Sequence, residues 1–139
     1  IDLNLNACVS LLEPAARRLG ARGGGFLCAL SSVAGDRGRR SNYRYGAAKA
    51  GLNTYLQGLR HRLGPAGVRV VTVKLGPVDT RMSYGRREAV MAIAPERAAR
   101  AIHRALRRGS TTVYVPARWG PIMLAIRSLP EWIFRRLDL

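Results

Sequence analysis

The stretch that most constrains the fold is a short apolar run, Gly25-Phe26-Leu27-Cys28-Ala29-Leu30-Ser31-Ser32, followed by Val33-Ala34-Gly35. A run of this length without polar alternation reads as a strand buried on both faces, as strands of parallel sheets are. Open α/β sheets place their ligands beyond the carboxyl ends of such strands, so this one would deliver a serine hydroxyl to a binding crevice. From Ser41 to Gly64 there is no proline and small residues abound, Gly46, Ala47, Ala48, Ala50 and Gly51 among them. That composition predicts a helix from about Ser41 to Leu63, capped by Ser41 and able to pack very closely on its neighbours. After Gly64-Pro65-Ala66-Gly67, the β-branched run Val68 to Leu75 reads as a second strand.

The remaining segments fit the same α/β pattern. Ile1 to Ala21 carries apolar residues at mostly helical spacing, broken by Pro14 and ended by Gly20, and is predicted to be an N-terminally clipped helix with a kink at Pro14. Because the chain opens on Ile1 inside that helix, it is expected to be a piece of a longer protein. Pro95 starts an amphipathic helix that ends at Gly109, and Thr111 to Pro116 reads as a third strand. Residues Asp36 to Arg40 form a basic loop expected to border the site.

Tyr45 and Lys49 lie four apart in the predicted helix, hence on one face and one turn apart. A cation so placed favours the phenolate and lowers a tyrosine pKa from about 10 toward neutrality, which makes a general acid/base. The pair alone is common on solvated helix faces. Its setting, behind a strand ending Ser-Ser-x-Ala-Gly and with Tyr45 13 positions after Ser32, resembles the short-chain dehydrogenase/reductase family. The spacing selects Tyr45 over Tyr43, which has no lysine four residues on.

The resemblance implies an NAD(P)-dependent oxidoreductase moving hydride between a nicotinamide cofactor and a ketone or secondary alcohol. In that reading Ser32 bonds the substrate oxygen, Tyr45 exchanges the proton, and Lys49 tunes Tyr45 and binds the nicotinamide ribose. Asn4, in Asp2-Leu3-Asn4-Leu5, resembles the family asparagine that supports proton supply; a mid-helix asparagine without such a task is the alternative. Gly76-Pro77-Val78-Asp79-Thr80 resembles the segment that holds the nicotinamide carboxamide, through Gly76, Val78 and Thr80, although on local chemistry alone it is a turn. Arg81 to Ile93 sits where the family keeps its substrate loop. Residues 1–116 then form the C-terminal portion of a Rossmann-like, doubly wound parallel sheet of three strands with flanking helices. The family's N-terminal half, with its glycine-rich phosphate site, has no counterpart here, so the choice between NAD and NADP is open. In the family, helices equivalent to 1–21 and 41–64 often build a subunit interface, which implies a homo-oligomer.

Trp119 to Leu139 interleaves aromatic, aliphatic and arginine residues. Two readings stand: an amphipathic tail resting on a bilayer, or helices capping the core or a subunit interface. With Val-Tyr-Val-Pro before it, the tail resembles the branch containing the reductase of decaprenylphosphoryl-ribose epimerisation, which implies a lipid-linked carbonyl substrate and peripheral membrane contact; a ketoacyl or small-ketone reductase is the rival.

Composition sets further bounds. At 47% hydrophobic and 23% charged, 139 residues suffice for a globular core. The net charge of +16 comes from 22 arginines and two lysines scattered through helices and loops, with only 6% aromatic residues, which argues against a nucleic-acid track. Where arginine is the default cation, a lysine at position 49 marks a site suited to a compact, tunable ammonium. Cys8 and Cys28 lack metal-ligand spacing and read as reduced thiols of a cytoplasmic protein, with no metal site. No apolar run is long enough to cross a membrane. A reading of another class remains, a non-catalytic basic fragment that binds a partner or an anionic membrane.

Overall fold

The computed structural model describes residues 1–81 and 91–137. A π-helical turn, Asp2–Asn6, leads into α1 (Ala7–Arg22), then β1 (Gly25–Ser32), a 3₁₀ turn (Val33–Gly35) and α2 (Tyr43–Leu63). β2 (Val68–Leu75), α3 (Pro95–Arg107), β3 (Thr112–Val115), α4 (Trp119–Ser128) and α5 (Glu131–Phe134) follow. The strands form a parallel sheet in the order β1-β2-β3, with Gly25 opposite Val68 and Ser32 opposite Leu75.

Alternating side chains give the sheet two apolar faces. On one, Ala29, Val68 and Val70 pack with Ala16 of α1 and Leu52, Leu56, Leu59 and Leu63 of α2. On the other, Val71, Val73 and Val115 pack with Ala98 of α3. The fold is thus the expected α/β type, helices on both faces of a parallel sheet. β1 is one end strand among the described residues, and Phe26 and Leu30 are about half exposed on it (52% and 53%).

Both predicted strand boundaries at Gly25–Ser32 and Val68–Leu75 match the structure, because glycines punctuate both runs. The helix starts differ. α2 begins at Tyr43 rather than Ser41, since Asn42 holds a non-helical backbone (φ −150°, ψ 33°) and makes no side-chain cap bond. The first helix opens as a π turn, in which the Ala7 N–H donates to the Asp2 carbonyl, and α1 then continues to Arg22 with Pro14 inside it. The predicted substrate loop, Arg81 to Ile93, lies mostly outside the described residues, at 82–90.

Two glycines set the close approaches that shape the sheet end. A Cβ on Gly35 would sit 2.6 Å from the Lys49 carbonyl carbon and 2.7 Å from the Ala50 nitrogen, so the turn after β1 rests directly on the α2 backbone. Gly46 meets this turn from the other side, where a Cβ would lie 3.0 Å from the Ala34 oxygen. Gly51 in turn admits Leu5 of the π turn.

The basic loop and the tail are joined. Arg37 donates to the carbonyls of Ile126 (2.7 Å), Arg127 (3.3 Å) and Leu129 (2.5 Å) at the C-terminal end of α4, and it pairs with Glu131. Its guanidinium stacks 4.0 Å from the Phe134 ring centroid. A guanidinium satisfies the carbonyls that a helix end leaves without partners, and its positive charge suits that end of the dipole. Met123 and Phe134 are buried, whereas Leu124 and Trp132 remain exposed. No helix among the described residues is long and apolar enough to span a membrane.

Replacing Gly35 by alanine should force the turn off α2, because the obstructing atoms are backbone. Overpacking of this kind destabilises by about 1–3 kcal/mol. Chemical denaturation of the variant should show that loss, and an unchanged midpoint would contradict the close contact.

Candidate active site at the carboxyl end of the sheet

Ser32 is the last residue of β1, and its extended backbone (φ −147°, ψ 152°) lets its side chain fold over the start of the 3₁₀ turn. Its Oγ accepts the Ala34 N–H at 3.1 Å and donates to the Leu75 carbonyl at 3.4 Å. The first bond fixes the oxygen. The second is long, so the hydroxyl proton can be redirected to a better acceptor.

Tyr45 and Lys49 both lie on α2, as their spacing predicts, in the stretch where Gly46, Lys49 and Ala50 receive the 3₁₀ turn. The Lys49 Nζ is 5.7 Å from the centroid of the Tyr45 ring, a cation–π separation. Lys49 is only 8% exposed, and among the described residues its Nζ makes one hydrogen bond, 3.4 Å to the Leu30 carbonyl. Burial holds the ammonium below its ordinary pKa of 10.5. Two of its three N–H donors are left for a ligand. Tyr45 is half-buried.

The other predicted site residues are more dispersed. Asn4 is half-buried on the π turn, which packs on α2 through Leu5. Gly76 continues the ladder past β2, its N–H donating to the Val115 carbonyl. It also receives the Trp119 indole, whose Nε1 would lie 2.0 Å from a Cβ there. A packing reason for glycine at 76 was not visible in the turn chemistry. Val78 bridges Ile93, and the Asp79 N–H donates to the Ile93 carbonyl at 2.9 Å. Thr80 is exposed.

Sequence reasoning missed a buried polar cluster beside this site. The Lys74 ammonium binds one Asp36 oxygen, and the Tyr114 hydroxyl donates to the other at 2.7 Å. The one signal for it was that Lys74 is the second of only two lysines. Both thiols are free and half-buried, and burial pushes the Cys28 thiol up.

A nicotinamide cofactor fits these residues. The carboxyl ends of β1 and β2 are in register, Ser32 opposite Leu75, so a serine hydroxyl and the backbone of the Gly76–Thr80 segment share one sheet end. Lys49 adds spare donors on the α2 side.

The sequence profile of the short chain dehydrogenase family matches residues 1–91. The chain belongs to that family. Among relatives of this short-chain dehydrogenase chain, an uncharacterised oxidoreductase of Mycobacterium tuberculosis is 43% identical over 131 residues, covering 94% of this chain and 53% of the relative. An acetoacetyl-CoA reductase of Cupriavidus necator is 32% identical over 91 residues, 66% of this chain and 37% of the enzyme. A crystal structure of a Burkholderia cenocepacia short-chain dehydrogenase in complex with NADP superimposes with a TM-score of 0.85 at 26% identity, covering 99% of this chain and 57% of that one. The chain thus spans about half the length of the mycobacterial and Burkholderia proteins and just over a third of the reductase, and the superposition bears out the partial Rossmann-like sheet expected from the sequence.

Burial of Lys49 has a measurable consequence. Its folded pKa is depressed, so the unfolded chain binds more protons than the folded one between the folded pKa and 10.5, and stability rises with pH across that window. Below the window the buried charge is a constant penalty. Lys49→Met should therefore melt at a higher temperature than the parent near neutral pH, with the gap narrowing as pH approaches the ordinary lysine value. Melting curves at several pH values check this, and a gap independent of pH would refute it.

Proposed function

We propose that this short-chain dehydrogenase chain carries the carbonyl-activating half of an NAD(P)-dependent oxidoreductase acting on a ketone or secondary alcohol. The observation that supports the reading is the seating of the turn after Ser32 on the α2 backbone at Lys49 and Ala50, the helix that also carries Tyr45. The cofactor, when bound, supplies or accepts the hydride.

The protein groups do the rest. Ser32 donates its proton to the substrate oxygen, where negative charge grows as a carbonyl is reduced, giving up the weak bond to Leu75. Tyr45 supplies the proton that this oxygen takes up, or removes it in the reverse direction. Lys49 stabilises charge on the phenol and donates to the nicotinamide ribose hydroxyls, and Asn4 supports proton supply from solvent. Gly76, Val78 and Thr80 hold the carboxamide. As an end strand, β1 offers a backbone edge that suits further strands of the same sheet, which would bring the phosphate-binding part of the cofactor site. For the substrate, the acetoacetyl-CoA reductase relative supports a ketoacyl group, and the interleaved tail supports a polyprenyl-linked keto sugar.

The product of the whole reading frame, assayed by NADPH and NADH consumption against both substrate types, tests this. Tyr45→Phe keeps the ring and loses one hydroxyl. It should lower kcat by about a hundredfold or more while the melting temperature stays near the parent's. Activity close to the parent's would sink the assignment.

A second reading is favoured by the exposed Leu124 and Trp132 beside Arg135 and Arg136 on the docked tail: contact with an anionic lipid surface. Sedimentation with phosphatidylserine vesicles should then show binding that weakens with salt and with Trp132→Ala. Equal binding to neutral vesicles would exclude it.

A further inference from the structure

The turn from Ser32 to Asp36 is gripped at both ends by consecutive residues of β2. At its start, the Ser32 hydroxyl donates to the Leu75 carbonyl. At its end, the Asp36 carboxylate binds the Lys74 ammonium through one oxygen and receives the Tyr114 hydroxyl through the other. The Lys74 Nζ also lies 3.4 Å from the Tyr114 oxygen and 5.2 Å from its ring centroid, closing a three-membered cluster. The Asp36 backbone N–H completes the turn on the Val33 carbonyl at 3.1 Å.

The cluster is unusual in its burial. The side chains of Asp36 and Lys74 are 3% and 10% exposed, so each charge has left water for the other. Such a pair is not an economical way to stabilise a fold, since an apolar pair of similar volume does as well or better. What it adds is geometric: a carboxylate whose two oxygens have fixed partners can occupy one position only. Burial and then the Asp36 carboxylate push the Tyr114 phenol up, which keeps it a donor. Lys74 and Tyr114 are in-register neighbours on β2 and β3, each one residue short of the carboxyl end of its strand.

We propose that Asp36, Lys74 and Tyr114 are positioning residues that hold the Ser32 hydroxyl at the height of the reacting carbonyl, with the Gly35 contact on α2 setting its lateral position. The assignment rests on the reading of Ser32 as the group that bonds the substrate oxygen. A hydroxyl displaced by a fraction of its bond length loses the transition state more than the bound substrate, so the cluster acts on kcat rather than KM.

The test uses the product of the whole reading frame. Tyr114→Phe removes one donor and leaves the ring, while Lys74→Met removes the charge with little change in volume. Each should lower kcat about ten- to a hundredfold with KM changed much less, and the Ala34 amide, whose bond to Ser32 Oγ reports the turn, should exchange its proton faster. If Lys74→Met does not fold, Tyr114→Phe decides. Parental kcat together with parental Ala34 protection in the folded variants would overturn the proposal. Should the parent itself turn over no carbonyl, the reading of the site fails, yet Ala34 exchange still shows whether the cluster fixes the turn.

Discussion

Contact between the backbone of Gly35 and the backbone of α2 at Lys49 and Ala50 is the constraint on which the site depends. A strand and a helix normally meet through side chains about 10 Å apart; here one turn of chain lies on another with no Cβ between them. Gly46 repeats the device one turn earlier, against Ala34. With both in place, the end of β1 lies in direct contact with α2. The Ser32 oxygen is held locally by the Ala34 amide.

Around that contact the charges are arranged in two unlike ways. Lys49 is buried with, among the described residues, a single long bond, and burial depresses its pKa. Lys74, one strand away, is buried with a carboxylate and a phenol and is well satisfied. The two lysines differ in their partners more than in exposure, since both are 8% exposed. Arg37, next along the chain from Asp36, extends the structural arrangement to the tail by occupying the carbonyls at the end of α4. Ser32, Asp36 and Arg37 thus link strand, sheet centre and tail through their side chains.

The strands and their boundaries were legible because glycines bracket uniform apolar runs, and Tyr45 with Lys49 were legible because helical periodicity puts residues four apart on one face. Ser41 misled as a cap because cap preference is a local tendency, and the backbone of Asn42 set the helix start instead. Gly76 read as a turn glycine, whereas Trp119, 43 positions later, also requires the missing side chain. Nothing local to Asp36, Lys74 or Tyr114 announces their meeting. Their separations in sequence, 38 and 40 residues, are closed by strand pairing alone.

The sequence by itself determined the α/β class, the parallel strands and the helical phase of Tyr45 and Lys49, since each follows from short-range periodicity and from residues that tolerate only certain backbones. Tertiary structure alone decided how near the serine turn comes to α2, which lysine is satisfied and which is not, and where the tail docks. Those depend on distances between residues far apart in the chain, where a glycine's lack of a Cβ or an ammonium's choice of acceptor takes effect only once the sheet has brought the partners together.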